Sequence, residues 1–330
     1  MTPGPLAPVA LDAMGGDLAP DEIVAGARAA VDEFGIDVVL VGPPDLVGDT
    51  RGLELIACTE VIGMDEDPAQ GVRRKKDSSL VRAAELVRDG AASATVSAGN
   101  TGATMAAALL RMGRIKGVSR PCIATPLPRP GSTPVVLVDA GANAECTPEM
   151  LVQFAQMASA YVSARFGVVE PLVGLLSIGE EPTKGTPLVK EVHQRLMDSA
   201  SGVQFYGNVE GRDLIGAPVD VVVTDGFTGN VALKTLEGAL RFMFDTLTAV
   251  IATDEATRAA GDVLLAHLLP VAVDLDPDAY GGAMLLGVDG VSVISHGSSS
   301  ARAIKNALKV AHDLAQGGIV ASLRAALGTT

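Results

Sequence analysis

An α/β fold on a mainly parallel sheet is what this sequence predicts, and three observations carry the prediction. Short β-branched runs alternate with long Ala/Leu/Arg/Glu stretches of helical period. Most of those runs end in Gly, Asn, Ser, Thr or Asp, as strands do where they turn into a following helix. The 330 residues are 48% hydrophobic but only 3% aromatic, an Ala/Val/Leu/Gly-rich content that suits helices packed over a buried sheet.

Taken in order, strands are expected at Val9 to Asp12, Val38 to Val41, Ala94 to Ser97, Val135 to Asp139, Leu172 to Ile178, Val203 to Tyr206, Val219 to Thr224 and Val291 to Ser295. Helices are expected at Pro20 to Phe34, Ser78 to Asp89, Thr101 to Met112, Pro148 to Phe166, Pro187 to Ser199, Asn230 to Ile251 and Ser299 to Gln316. Thr147-Pro148 and Thr186-Pro187 read as an N-cap followed by Pro at the first helical position. No repeat, low-complexity tract or long linker interrupts the chain, so 1–330 reads as a single domain, weakest near Arg129-Pro130-Gly131-Ser132. From Asn230 to Pro277 two helical segments follow one another and break the alternation, which predicts a helical hairpin protruding from the sheet domain.

Composition narrows the function. Lys and Arg total 25 against 39 Asp and Glu, a net charge of −14, so net charge draws the chain to neither nucleic acid nor an anionic membrane. The three cysteines (Cys58, Cys122, Cys146) and an N-terminus lacking a basic and then an apolar region point to a cytoplasmic protein. No uncharged apolar run approaches the roughly 18–20 residues of a membrane span; that from Val263 to Val273 is broken by His267 and Pro270. His193, His267, His296 and His312 are scattered without metal-ligand spacing, and neither a metal nor a cofactor is expected. The remaining route to a metal is carboxylate alone, with Asp12, Asp17, Asp139 and Asp225 converging at the carboxyl edge of the sheet.

In open α/β sheets ligands bind beyond the carboxyl ends of strands, where helix N-termini present free N–H groups. Five junctions are loaded for such a role: Asp12 to Asp17, Ser97 to Gly102, Asp139 to Asn143, Asp225 to Asn230 and His296 to Ser300. Each is also an ordinary helix cap, but five together point to a polar site for phosphate. Gly179 to Thr186 is not a phosphate loop of the NTPase type, because Lys184 precedes its glycine. Lys184 nevertheless follows a strand and precedes a helix, where a compact cation suits phosphate or a developing oxyanion; its alternative is a solvated pair with Glu180 or Glu181. Cys146 reads as packed and inert, and Cys58 and Cys122 as core. Arg73-Arg74-Lys75-Lys76 is the densest basic run, with Arg111, Arg114 and Lys116 a second cluster.

These segments together resemble the bacterial acyl-acyl carrier protein:phosphate acyltransferases of the PlsX type. The resemblance spans nearly the whole chain: LDAMGGD from Leu11, RRKKDSS from Arg73, SAGNTGA from Ser97, DAGAN from Asp139, SIGEE with Lys184-Gly185, GNVEG from Gly207, TDGFTGN from Thr224 and HGSS from His296. It implies transfer of a long-chain acyl group from acyl carrier protein to inorganic phosphate for phospholipid synthesis. It also implies an α/β/α sandwich similar to isocitrate and isopropylmalate dehydrogenases and to phosphotransacetylase, a homodimer, and peripheral membrane contact. Phosphate attacks a thioester directly in such chemistry, so no enzyme nucleophile is needed and positioning carries the rate.

Within the resemblance, Lys184 is expected to hold phosphate or the oxyanion, with Gly15, Gly16, Asn100, Thr101 and Gly102 cradling the anion. Asp225 and Asn230 orient it or bind pantetheine, and His296 protonates the leaving thiolate, a structural role being its alternative. Asp12, Asp17, Ser97, Asp139, Asn143, Asn208 and Ser298 complete the expected substrate contacts. Arg73, Arg74, Lys75 and Lys76 are expected to dock the acidic carrier protein, and Val263, Leu264, Leu265 and Leu268 to form a dimer or membrane tip. A phosphotransacylase using acyl-coenzyme A and a non-catalytic scaffold for lipid enzymes stay open.

Overall fold

A computed structural model describes residues 6–216 and 218–328. In chain order the elements are β1 (Val9–Asp12), α1 (Asp21–Phe34), β2 (Val38–Gly42), α2 (Pro44–Val47), β3 (Glu54–Ala57), α3 (Pro68–Arg74), α4 (Ser79–Arg88), β4 (Ala94–Ser97), α5 (Thr101–Arg111), β5 (Cys122–Leu127) and β6 (Val135–Val138). They continue with α6 (Pro148–Phe166), β7 (Leu172–Leu176), α7 (Pro187–Met197), β8 (Gln204–Val209), β9 (Val221–Val223), α8 (Gly226–Ile251), α9 (Glu255–Asp274), β10 (Ala283–Leu286), β11 (Ser292–Ile294), α10 (Ala301–Gln316) and α11 (Ile319–Ala326). Helix starts are written locally: Asn100, Thr147, Thr186, Asp225 and Ser300 each accept a backbone N–H of their own first turn.

Among the described residues the strands form one eleven-stranded sheet in the order β3-β2-β1-β4-β11-β10-β5-β6-β9-β7-β8. Its two flanks are parallel, but its centre is not: β11 pairs antiparallel with β10, β10 with β5, and β5 with β6. Three reversals in succession make the β6-β9-β7-β8 half run opposite to the β1-β4-β11 half, so the carboxyl ends of the two halves lie at opposite ends of the sheet. The expectation that all five junctions, and the four aspartates among them, converge at one carboxyl edge is therefore corrected. Residues 129–132 form the turn joining β5 to β6, with Ser132 N–H donating to Arg129 O at 3.1 Å.

Alternate residues along each strand feed the two faces. One face packs Val9, Leu11, Val38, Leu40, Val136 and Val138 against α1, α6, α7, α10 and α11, where Phe154 and Tyr161 of α6 are fully buried. The other packs Ala10, Val39 and Val41 under α4, and Ile123, Leu285 and Ile294 under α5. Its second half packs Leu127, Val135, Leu137 and Val222 under Leu233 and Leu236 of α8. The result is an α/β/α sandwich in which α5 and α8 share a face above the antiparallel centre.

Candidate active site

At the carboxyl end of the first half, three junctions meet. Asp12 accepts Met14 N–H at 3.1 Å and Ser97 Oγ–H at 2.8 Å, and Gly99 N–H donates to Ser97 Oγ at 3.0 Å. A side chain on Gly15 would lie 2.7 Å from both Asp12 Oδ2 and Gly99 N, so only glycine lets these loops touch. Asp17 N–H donates to Gly297 O at 2.7 Å, and Gly16, at φ +111°, sits against the same carbonyl. Burial pushes the Asp12 carboxyl up despite its hydrogen bonds from Ser79, Ser97 and Met14. Asn100 is spent on architecture: it caps α5 and donates to Met64 O and Glu66 O at 3.0 and 3.2 Å. Gly102 packs on Pro68, where a Cβ would lie at 2.7 Å. Of these five phosphate candidates, Thr101 is the one that borders the cavity described below.

At the opposite end, Asp139 is fully buried and organises its loop. Its carboxylate accepts the N–H groups of Ile123, Gly141, Ala142 and Asn143 and the Asn143 side-chain amide, at 2.8 to 3.2 Å. Desolvation outweighs those bonds and pushes its pKa up. Asn143 also donates to Pro121 O at 2.8 Å and accepts Gly226 N–H at 2.7 Å, fastening the loop to the start of α8. Asp225 caps α8 through Thr228 N–H and Oγ–H, both at 2.8 Å, and Asn230 donates to Ala140 O at 3.2 Å. Farther along this half, buried Asn208 bonds His193 Nδ1 at 3.0 Å and donates to Glu181 O at 2.9 Å. It thus pins the loop that carries Lys184. Lys184 is exposed, without an ion pair among the described residues, and Glu180 pairs with Arg212 instead.

Between the two groups, over the antiparallel centre, lie two joined cavities. The smaller, of about 180 Å³, has a largely apolar wall into which Thr101 from the first group, Asn230 from the second, and Thr125, Lys234, Ser295, His296 and Ser299 are set. It shares Thr125, Pro126, Leu233, Glu237, Asp278 and His296 with an apolar groove of about 690 Å³. That groove runs along α8 past Leu236, Leu240, Met243, Phe244 and Leu247. His296 Nδ1 accepts Ser298 N–H at 3.3 Å and lies 2.8 Å from Ser298 Oγ, so the neutral ring carries its proton on Nε2. Lys184 borders neither cavity.

Thr125, Lys234 and Ser295 escaped the sequence reading, and Ser299 entered it only as part of the His296 to Ser300 junction. A signal existed for one of them: Asn230, Leu233, Lys234 and Glu237 recur at helical spacing, placing the lysine on the same face as the asparagine. Thr125 stands in β5, a strand the sequence did not announce.

The basic run divides. Lys75 is tied to Glu66 and donates to Val61 O at 2.6 Å, whereas Arg73, Arg74 and Lys76 are exposed without ion pairs among the described residues. Burial pushes the Cys58 and Cys146 thiols up to about 11. Among the described residues no cluster of three or more His, Cys, Asp or Glu could hold a metal, and no helix is long and apolar enough to cross a membrane. Helices α8 and α9 expose Phe242 (74%), Phe244, Val263 (68%), Leu264 and Leu268, with Leu265 half-buried.

A family model described as "fatty acid synthesis protein" matches residues 7–322. The chain belongs to this family. It is 48% identical over 325 residues to the phosphate acyltransferase of Elusimicrobium minutum, covering 96% of this chain and 94% of that one. It is 46% identical to the phosphate acyltransferase of Desulforudis audaxviator, covering 97% and 96%. Among solved structures it resembles a phosphotransacetylase from Streptococcus pyogenes, with TM-score 0.61 and 19% identity over 95% of this chain and 94% of that one. A branched-chain phosphotransacylase from Enterococcus faecalis is similar too, with TM-score 0.59 and 17% identity over 94% and 99%. At those identities the structural likeness establishes the fold.

Proposed function

We propose that the chain transfers a long-chain acyl group from an acyl carrier protein thioester to inorganic phosphate, releasing acyl phosphate for phospholipid synthesis. The observation that carries this reading is the joining of a small cavity, bordered by Thr101, Asn230, Lys234, Ser295 and Ser299, to a long groove lined by Leu236, Leu240, Met243 and Phe244, with His296 and Thr125 on the boundary. The shared name of the curated relatives supports phosphate as acceptor. The acyl chain lies in the groove, which places the thioester carbonyl at the boundary. A phosphate oxygen adds to that carbon, the C–S bond breaks with its electron pair going to sulfur, and the thiolate takes a proton. That proton is the one hydrogen phosphate gives up on becoming acyl phosphate, and His296 Nε2–H, its tautomer fixed by Ser298, donates a hydrogen bond to the departing sulfur. Asp225 and Asp139 act by setting the start of α8 and the wall beside it. The role of Lys184 in holding phosphate or the oxyanion requires its loop to reach the boundary in the loaded enzyme. Lys184→Ala decides it, since a loss of only a few-fold in turnover removes Lys184 from the chemistry.

Arg73, Arg74 and Lys76 form the docking patch for the acidic carrier protein. Arg73 and Arg74 end α3 and Lys76 follows it, and α3 packs on α5, the helix whose first residue borders the smaller cavity. The chain acts as a homodimer, and the exposed apolar face of α8 and α9 serves as its membrane-contacting tip at the inner face of the cell membrane. The deciding experiment supplies palmitoyl-acyl carrier protein and phosphate and traps acyl phosphate with hydroxylamine, with palmitoyl-coenzyme A as competing donor. Phosphate-dependent product from the carrier protein is expected. Product from coenzyme A alone replaces the reading with a phosphotransacylase, and no product from either donor leaves a scaffold.

A further inference from the structure

We infer that the 180 Å³ cavity seats the acceptor, and that it selects a tetrahedral oxyanion bearing a proton, hydrogen phosphate, over one bearing none, such as sulfate. The inference rests on the acyl-transfer reading and adds to it the position and protonation of the acceptor. Two buried hydroxyls mark the place. Ser295 and Ser299, only 4% and 3% exposed, border the cavity, and neither Oγ has a hydrogen-bond partner among the described residues. Buried hydroxyls without partners forfeit the bonds they make in water; five serines are in that state among the described residues, and Ser295 and Ser299 are the two that border this cavity, where a bound oxyanion would supply the missing partner. The wall beside Ser295 is kept bare: Gly282, at φ +83°, also borders the cavity, and a Cβ there would lie 3.2 Å from Ser295 Oγ and 2.6 Å from Ile294 O.

Donors and acceptors share this cavity. Lys234 is the one lysine or arginine on its border among the described residues, and Thr101 adds a hydroxyl at the N-terminus of α5. Two carboxylates border it as well: Glu237, which holds Lys234 Nζ at 2.8 Å, and Asp278, which accepts Ser300 Oγ–H at 3.1 Å. A fully deprotonated oxyanion offers acceptors only and meets those carboxylates with repulsion. Hydrogen phosphate accepts from Ser295, Ser299, Thr101 and Lys234 and donates its P–OH to a carboxylate. The phosphodiester of a pantetheine arm carries no such proton, which favours the free acceptor over the donor's own phosphate.

The test is steady-state acyl phosphate formation with phosphate and acyl donor varied separately, and with arsenate or sulfate as competitors of phosphate. In the Ser295→Ala/Ser299→Ala variant the KM for phosphate should rise about tenfold or more while the KM for the acyl donor stays within about twofold. Arsenate, which keeps a proton, should compete at least about tenfold better than sulfate, and Asp278→Asn or Glu237→Gln should narrow that gap. A donor KM that rises while the phosphate KM stays fixed overturns the inference and gives the cavity to the donor's phosphate; sulfate competing as well as arsenate overturns it too. Failure of the parent protein to make acyl phosphate is a failure of the acyl-transfer reading instead. Phosphate line-broadening in ³¹P NMR, present with the parent and lost with the folded double-serine variant, then still supports the cavity, and line-broadening equal in both, or absent in both, refutes it.

Discussion

Shortening the acyl donor one carbon at a time is expected to lower kcat/KM about twofold per methylene, from roughly 17 carbons downward. The length comes from α8. Leu233 and Leu247 mark the two ends of its groove-lining stretch, 14 residues apart, which at about 1.5 Å per residue is roughly 21 Å. A carbon chain with bonds of about 1.52 Å and angles near 111° advances about 1.25 Å per methylene, so the groove matches about 17 carbons. Full burial of a methylene is worth about 0.8 kcal/mol; a groove open along one side recovers about half, roughly 0.4 kcal/mol, or a factor of about two. The assay is kcat/KM for carrier-protein thioesters of 8 to 20 carbons at saturating phosphate. A rate indifferent to length between 10 and 16 carbons refutes the placement of the chain along α8. So does a slope that survives Leu236→Glu/Leu240→Glu in a folded protein.

Further outcomes follow from single contacts. Gly229→Ala places a Cβ 1.9 Å from Asp139 O, so urea unfolding should show a loss of about 1–3 kcal/mol or more, and an unchanged midpoint rejects that packing. Asp12 has its carboxyl pushed up by burial, so its ionisation opposes folding: the stability it allows is full below the unfolded value, near 3.8, and falls as pH rises through the folded one. Asp12→Asn should therefore match or exceed the parent in stability at pH 7, with the advantage fading below pH 3.8; a less stable variant at pH 7 contradicts the sign. Arg73→Glu/Arg74→Glu should raise the KM for carrier-protein donor about tenfold and leave that for acyl-coenzyme A nearly unchanged, and equal effects on both exclude docking. Leu264→Glu/Leu268→Glu should abolish flotation with liposomes, and undiminished flotation removes the tip from membrane contact.

Much of the fold was legible because its flanks are written in alternation. The runs at Val9, Val38, Ala94 and Val135 became β1, β2, β4 and β6, and Asp225 fixed the start of α8 four residues earlier than its apolar period showed. What escaped was the antiparallel centre. β5 contains Pro126, which argues against a central strand; its ladder with β10 covers 122–124, so the proline lies beyond it, opposite Val136 of β6. β10 is only Ala283–Leu286, with no β-branched residue, behind two glycines. Those two quiet strands reverse the sheet, and the reversal separates Asp12 and Asp17 from Asp139 and Asp225. Periodicity reports which face a residue takes and is silent on strand direction, so junction residues were legible as a set but not as two groups with a cleft between them. Lys234 escaped for a related reason: exposed and paired with Glu237 on an amphipathic helix, it reads as a surface pair until the facing strands that complete the cavity are known.

Because Asn230, Lys234, Leu236, Leu240 and Leu247 all ride on α8, that helix imposes a phase on any change of length. One residue inserted after Lys234 would turn the apolar stripe by about 100° and aim it away from the boundary that the proposed function gives to the acyl carbon. Seven residues, close to two turns, would restore the alignment and extend the groove by about 10 Å, room for roughly eight more methylenes. With the acyl chain laid along α8, a one-residue insertion should inactivate the enzyme, and a seven-residue insertion should keep it active with a longer preferred chain.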